Sequence, residues 1–162
     1  MAGDFFHALI VFKNLASGVH NLPIADLRIM LAVPNISTTS DLYVDTTGTL
    51  CLVGPTSLTE EIAAGNGYVK GGIPLTITFS GIESPGYKLK VSQALLTAIG
   101  GTIGPFLTAI LYDNSASVAA TRPLIGYWVL SSSLFPITLL ENQTLVLNFD
   151  QSLGLILIRH GI

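Results

Sequence analysis

FLTAILYDNSASVAATRPLIGYWVL, residues 106–130, is the stretch that decides the fold class. Its first arm, Phe106–Tyr112, is apolar and of strand length, and Asp113-Asn114-Ser115 closes it with turn-forming side chains. Its second arm, Leu124–Leu130, is apolar again. Strands covered on both faces give such unbroken apolar runs, where half-exposed strands give alternation. Tyr127 and Trp128 stand side by side on the second arm, and neighbouring residues of a strand point to opposite faces. Two readings of the pair stay open. One ring fills the core while the other meets a neighbouring protein, or both are buried inside one domain. An aromatic on an almost chargeless outer face is a candidate interface anchor.

Outward from this stretch, short strand patterns recur with turn signals between them. Ala25–Val33 alternates, with Leu27, Ile29 and Leu31 on one side and Arg28 and Met30 on the other, and Pro34-Asn35 ends it. Leu42–Val44 and Leu50–Val53 flank Thr46-Thr47-Gly48. A strand begins at Tyr68–Lys70, and Leu75–Ser80 and Tyr87–Val91 form a hairpin around Ser84-Pro85-Gly86. Thr144–Phe149 and Leu153–Ile158 complete the series. Two segments read as helix. Residues 4–16 have Asp4 as N-cap, an apolar stripe of Phe5, Leu9, Phe12 and Ala16 widened by Phe6, Ile10 and Leu15, and Gly18 at the C-cap, with a strand over Ala8–Phe12 as the competing reading. Thr56–Ala64 opens with a capping-box pattern toward Glu60 or Glu61 and ends at Gly65-Asn66-Gly67. The expected architecture is mainly β. It is a β-sandwich or jelly-roll-like antiparallel domain over residues 1–162, with a short N-terminal helix and one short internal helix. The helical segment 1–18 is expected to pack on that domain or on a neighbour.

Composition narrows the function. Charged residues make up 10% of the 162-residue chain, against about 25% in an average domain. A chain of this length can bury roughly 70% of its unfolded surface, yet it has few charges for the exterior that remains. Either lipid or protein partners cover part of that exterior. No charge lies between Lys90 and Asp113, or between Arg122 and Glu141. Both gaps approach the roughly 20 residues of a membrane helix. Gly100, Gly101, Gly104 and Pro105 interrupt the first, and Gly126, three serines and Pro136 interrupt the second. Neither gap has basic residues clustered on one flank. Buried strands are the better reading, and no membrane is expected. Asp4 precedes the N-terminal apolar run and Lys13 follows it, the wrong order for a secretory signal. Asn35-Ile-Ser37 and Asn142-Gln-Thr144 match the glycosylation pattern and are then expected to do so by chance. The net charge of −3 is scattered, with no basic stripe for nucleic acid.

Convergent chemistry is sparse. His7, His20 and His160 lack any paired ligand spacing, and no serine sits in a Gly-x-Ser-x-Gly elbow. The lone Cys51 forms no intrachain disulfide and reads as a small buried hydrophobe. Gly100-Gly101-Thr102-Ile103-Gly104 lacks the Lys-Ser or Lys-Thr of a phosphate loop and reads as a turn rich in positive φ. Asp41 and Asp45 are too few for an EF-type calcium loop. No catalytic, cofactor or metal site is expected, and catalysis by a triad assembled in space is open at this stage.

Several segments together resemble a broad group of tailed-bacteriophage virion proteins. They are DFFHALIVFKNLASG (4–18), DLRIMLAV (26–33), LTEEIAAGNGYVKGG (58–72), AILYDNSASVAATRPLIGYWVLSSS (109–133) and TLVLNFDQSLGLILI (144–158). The resemblance covers most of the chain. Val129-Leu130 departs from it, because many members have Asp or Gly after the aromatic pair. The resemblance implies a strand ending in Leu-Tyr-Asp, an aromatic strand and a closing hairpin. It further implies a capsid cement or decoration role on the virion's exterior, as a homo-oligomer, a trimer by preference, bound to the major capsid protein. Phe5, Phe6, Phe12, Tyr127 and Trp128 are the candidate interface residues. A tail or baseplate component is the alternative. A carbohydrate-binding sandwich module is a more distant one, with Tyr43 beside Asp41 and Asp45 as its nearest aromatic–carboxylate group.

Overall fold

The computed structural model describes residues 5–7, 10–18, 21–33, 42–45, 50–52, 58–59, 61–84, 86–115, 121–131, 135–152 and 154–159. The fold is mainly β and antiparallel. The two apolar arms of the deciding stretch become β11 (Thr108–Asp113) and β12 (Thr121–Val129), paired antiparallel. The register runs Thr108↔Val129, Ala109↔Trp128, Ile110↔Tyr127 and Leu111↔Gly126, then slips to Tyr112↔Leu124. The slip is a β-bulge that adds Ile125 to β12 and keeps apolar residues on both faces in phase with β11. On the other side of β11 lies β2 (Leu27–Ala32), with Ile110 opposite Met30 and Leu111 opposite Ile29.

These strands are the centre of an eight-stranded sheet. β1 (Phe5–His7) and β3 (Leu42–Asp45) pair with successive parts of β12. β4 (Leu50–Leu52) and β5 (Leu58–Thr59) continue outward from β3, and β6 (Ile73–Pro74) flanks β2. Leu27, Ile29, Leu31, Ala109, Leu111, Ile125 and Trp128 are buried on one face. Met30, Ala32, Ile110, Tyr112, Leu124 and Tyr127 are buried on the other, in a second cluster. Burial of both faces is the physical reason that residues 106–112 carry no polar alternation.

Three smaller sheets share the first cluster. One has the order β15 (Ile156–Arg159), β8 (Gly86–Val91), β7 (Ile77–Glu83). Another pairs β9 (Ala94–Thr97) with β14 (Thr144–Leu147), and the third pairs β10 (Ile103–Phe106) with β13 (Ile137–Leu139). Their inner residues Leu89, Leu96, Phe106, Leu139, Leu147 and Ile156 pack into the same core as Leu111 and Trp128. Sheets thus lie across a common apolar layer from one another, as in a sandwich. Nothing in the strand order singles out the jelly-roll variant of that arrangement.

Several expectations need correction. The N-terminal helix is shorter than expected: Phe5–His7 is strand β1, and α1 covers Ile10–Ala16. The competing strand over Ala8–Phe12 is not formed by its described residues, since Ile10–Phe12 belongs to α1. The helix buries Val11 and Asn14, while Phe12 and Ala16 face outward. The first turn was claimed by pairing with β12, so the buried stripe differs from one counted from Asp4. Gly18 has φ +72 beyond the helix end, as expected of a C-cap glycine.

The internal helix expected at Thr56–Ala64 is not formed by its described residues. Leu58–Thr59 is β5, Glu61 makes a β-bridge to Ala32, and the Ile62 N–H donates to the Leu31 carbonyl at 3.1 Å. Residues 56, 57 and 60 of that segment lie outside the described residues. Pairing with existing strands overrode the local capping signal. The strand expected to start at Tyr68–Lys70 is reduced to a bridge at Tyr68, with the strand proper at β6. The closing hairpin is also absent, because β14 pairs with β9 and β15 with β8. No described helix is long and apolar enough to cross a membrane.

Candidate functional site

The five candidate interface residues come from two distant parts of the chain, and the fold brings them to one corner. β1 lies against β12 with Phe5 opposite Trp128, Phe6 opposite Tyr127 and His7 opposite Gly126. α1, which carries Phe12, packs on β12 as well. The backbone positions of Phe5 and Phe6 are described and their side chains are not. Tyr127 and Trp128 do point to opposite faces, yet both are only 3% exposed. Trp128 lies edge-on to Phe149 in the main core, with ring centroids 5.3 Å apart. Tyr127 lies in the second cluster, where burial raises the pKa of its phenol. The expectation that one of the two rings faces a partner is therefore corrected: the sheet is covered on both sides. Of the candidates whose side chains are described, Phe12 is open to solvent, at 59% exposure, with its ring 6.3 Å from that of His7.

A polar knot sits at the opposite edge of the sheet. The Tyr68 hydroxyl accepts from the Leu31 N–H at 3.0 Å and donates to Glu61 Oε1 at 2.6 Å. The same carboxylate oxygen accepts from the Gly71 N–H at 2.8 Å, and the Tyr112 hydroxyl donates to the Gly71 carbonyl at 2.6 Å. Burial, followed by the bond to Glu61, drives the Tyr68 pKa far upward. A phenol held this strongly in its neutral form is a poor proton donor, and its bonds tie segment 61–71 to β2. Asn66 (φ 53) and Gly67 (φ 98) form the two-residue loop between Gly65 and Tyr68. A Cβ on Gly67 would lie 2.6 Å from the Thr97 carbonyl oxygen, so only glycine lets this loop approach β9.

Among the described residues, no three His, Cys, Asp or Glu side chains gather in a way that could hold a metal ion. His20, His160 and Asp41 lie outside the described residues, as do the side chains of Tyr43, Asp45 and Cys51. Gly100, Gly101 and Gly104 all have positive φ, the turn expected of that cluster. Asp113, fully buried, accepts from the N–H and hydroxyl of Ser115 and so closes β11 with its own side chain.

No protein-family model matches the chain, and no curated protein or solved structure matches it.

The feature that the sequence did not point to is the outer face of the β9–β14 ribbon. Leu95 lies opposite Val146, and Thr97 opposite Thr144, whose hydroxyls bond at 2.8 Å. Leu95 is 51% exposed, Val146 38% and Ile99 66%. The inner residues Ala94, Leu96, Ala98 and Leu147 are buried. The signal was present in Ala94–Ile99, where Leu95, Thr97 and Ile99 alternate with those inner residues. It does not say which apolar side faces inward, because both sides are apolar.

Proposed function

We propose that the protein is a structural virion component that acts by packing and not by catalysis. In this reading it is an oligomeric cement or decoration protein on the exterior of a tailed-phage capsid. The observation that carries the proposal is the apolar outer face of β9–β14 on a chain with 10% charged residues. Exposed apolar side chains grouped on one sheet face mark a surface that another protein covers. A permanent interface buries about 2,000 Å² or more. At about 25 cal/mol per Å² of apolar area, the gross stabilisation is on the order of tens of kcal/mol before association costs. Repeated contacts across a shell add multivalency. The resemblance of residues 109–133 to tailed-phage virion proteins supports the capsid setting.

Cryo-microscopy of expanded capsids incubated with the purified protein tests this. Added density repeated over the whole icosahedral surface is the expected result. Density at a single vertex would favour a tail or baseplate component, and bare capsids would overturn the cement reading.

A further inference from the structure

The chain segments that join the small sheets border an open, shallow recess of about 420 Å³, lined by Ser92, Gln93, Asn148, Phe149 and Gln151. Ser92 and Gln93 link β8 to β9, and residues 148–151 follow β14. The volume lies within the roughly 300–1,000 Å³ range of small-molecule sites, at its small end. Four of the five lining residues are neutral and polar, and none is charged.

Two of these polar groups are held in place by the fold. Gln151 Nε2 donates to the Val91 carbonyl at 3.1 Å and to the Phe149 carbonyl at 3.2 Å. Carbonyls require a donor, so this arrangement fixes which end of the carboxamide faces the protein. Both amide hydrogens are committed, and Oε1 is left as an acceptor. Ser92 Oγ accepts the Thr76 N–H at 3.0 Å, which leaves its hydroxyl proton to donate. The side chains of Gln93 and Asn148 are exposed on the rim. Each carries a donor and an acceptor side by side. Phe149 is 9% exposed and in T-shaped contact with Trp128, so it offers only a small apolar patch.

We infer that this recess is a binding site for a neutral polyhydroxylated ligand, a saccharide of one or two rings. An anion or cation would find no counter-charge in the lining, and a purely apolar ligand would strip water from four polar side chains without replacing their hydrogen bonds. A planar base would find only that small patch to stack on. A sugar presents adjacent hydroxyls that donate and accept at once, as the carboxamides do, and a C–H face that needs only a small apolar contact. Gln93 and Asn148 adjoin the paired ends Ala94 and Leu147 of the ribbon, and saccharide binding and self-association are told apart by their readouts, side-chain amide shifts against sedimentation.

The test is a ¹⁵N NMR titration of the full chain with glucose, galactose, mannose, N-acetylglucosamine and their disaccharides, with inorganic phosphate and benzoate as controls. At least one sugar should produce saturable shifts in the side-chain amide signals of Gln93, Asn148 and Gln151, and the controls should not. Asn148→Ala, on the exposed rim, should weaken that sugar about tenfold with the rest of the spectrum unchanged. Gln151→Ala should abolish binding, and Gln151→Glu, which cannot donate to the two carbonyls when ionised, should weaken it. No saturable shift with any sugar, shifts centred elsewhere, tighter binding of a control, or an Asn148→Ala variant that binds like the parent would each overturn the inference.

Discussion

The β7–β8 hairpin and the β9–β14 ribbon bury their inner faces in the same core and differ in the charge they carry. On the hairpin, Glu83 Oε2 lies 2.7 Å from Lys90 Nζ and 3.7 Å from Lys88 Nζ, and Lys90 Nζ sits 5.2 Å from the centre of the Phe79 ring. The β7 edge also carries a register irregularity between Ile77 and Phe79. Charges and bulges are the devices by which an open strand edge avoids pairing with other chains. The ribbon has Leu95, Ile99 and Val146 outward and no charged residue on either strand. In a chain with so few ionic side chains, their concentration on the hairpin makes the unguarded ribbon informative. The hairpin also exposes Ile82 and Phe79, so what separates the two surfaces is the hairpin's charge cluster, which the ribbon lacks.

The inner faces should respond alike and most strongly. Leu89→Ala on β8 and Leu96→Ala on β9 each remove a buried leucine from the shared core. Both should lose about 2–5 kcal/mol in denaturant unfolding. A loss confined to one sheet would show that the two do not share a cooperative core.

Next comes the anchor of the ribbon. The 65–68 turn holds the end of β9 through the Ile99 N–H, which donates to the Asn66 carbonyl at 2.8 Å, and Tyr68 fastens that turn to β2. Tyr68→Phe leaves the Leu31 N–H and Glu61 Oε1 without the hydroxyl and should cost about 1–3 kcal/mol. Tyr68 also sets an alkaline limit. Its pKa is raised above the ordinary 10.0 in the folded state. Above pH 10 the unfolded chain therefore loses a proton that the folded chain keeps, and stability should fall as pH rises past that point. In Tyr68→Phe, that part of the alkaline loss should vanish.

How much of this was legible in the sequence differs by element. β2 and β11 were legible because burial imprints itself on side-chain periodicity. The hairpin β7–β8 was legible because Ser84-Pro85-Gly86 marks its turn. Segment 56–64 was misread because its helix-start residues are a local signal. In the fold, the Glu61 carboxylate serves Tyr68 and Gly71 instead, groups that no local window around Thr56 weighs. The partners of β14 and β15 were not legible, since both pair across long separations with strands of similar apolar content. For the candidate interface, Tyr127 and Trp128 were correctly placed on opposite faces. Their burial depended on cover that the sequence does not encode locally.

The smallest effect belongs to the guarded surface. The pKa of Glu83 is lowered from its ordinary 4.5, first by its bond to Lys90. Its contribution is present above that pH and is lost as pH falls through the lower folded value. Glu83→Gln should lower neutral-pH stability slightly, and the same small amount should disappear from the acid limb of the melting profile.

The covered-face claim is tested most directly by sedimentation at micromolar concentration. The double variant Leu95→Lys with Val146→Glu places opposite charges at directly paired positions, which preserves the ribbon while making its outer face polar. The parent should sediment as an oligomer of trimer size, and the variant as a monomer with an unchanged unfolding midpoint. A parent that stays monomeric at every concentration, or a variant that associates as the parent does, would contradict the account.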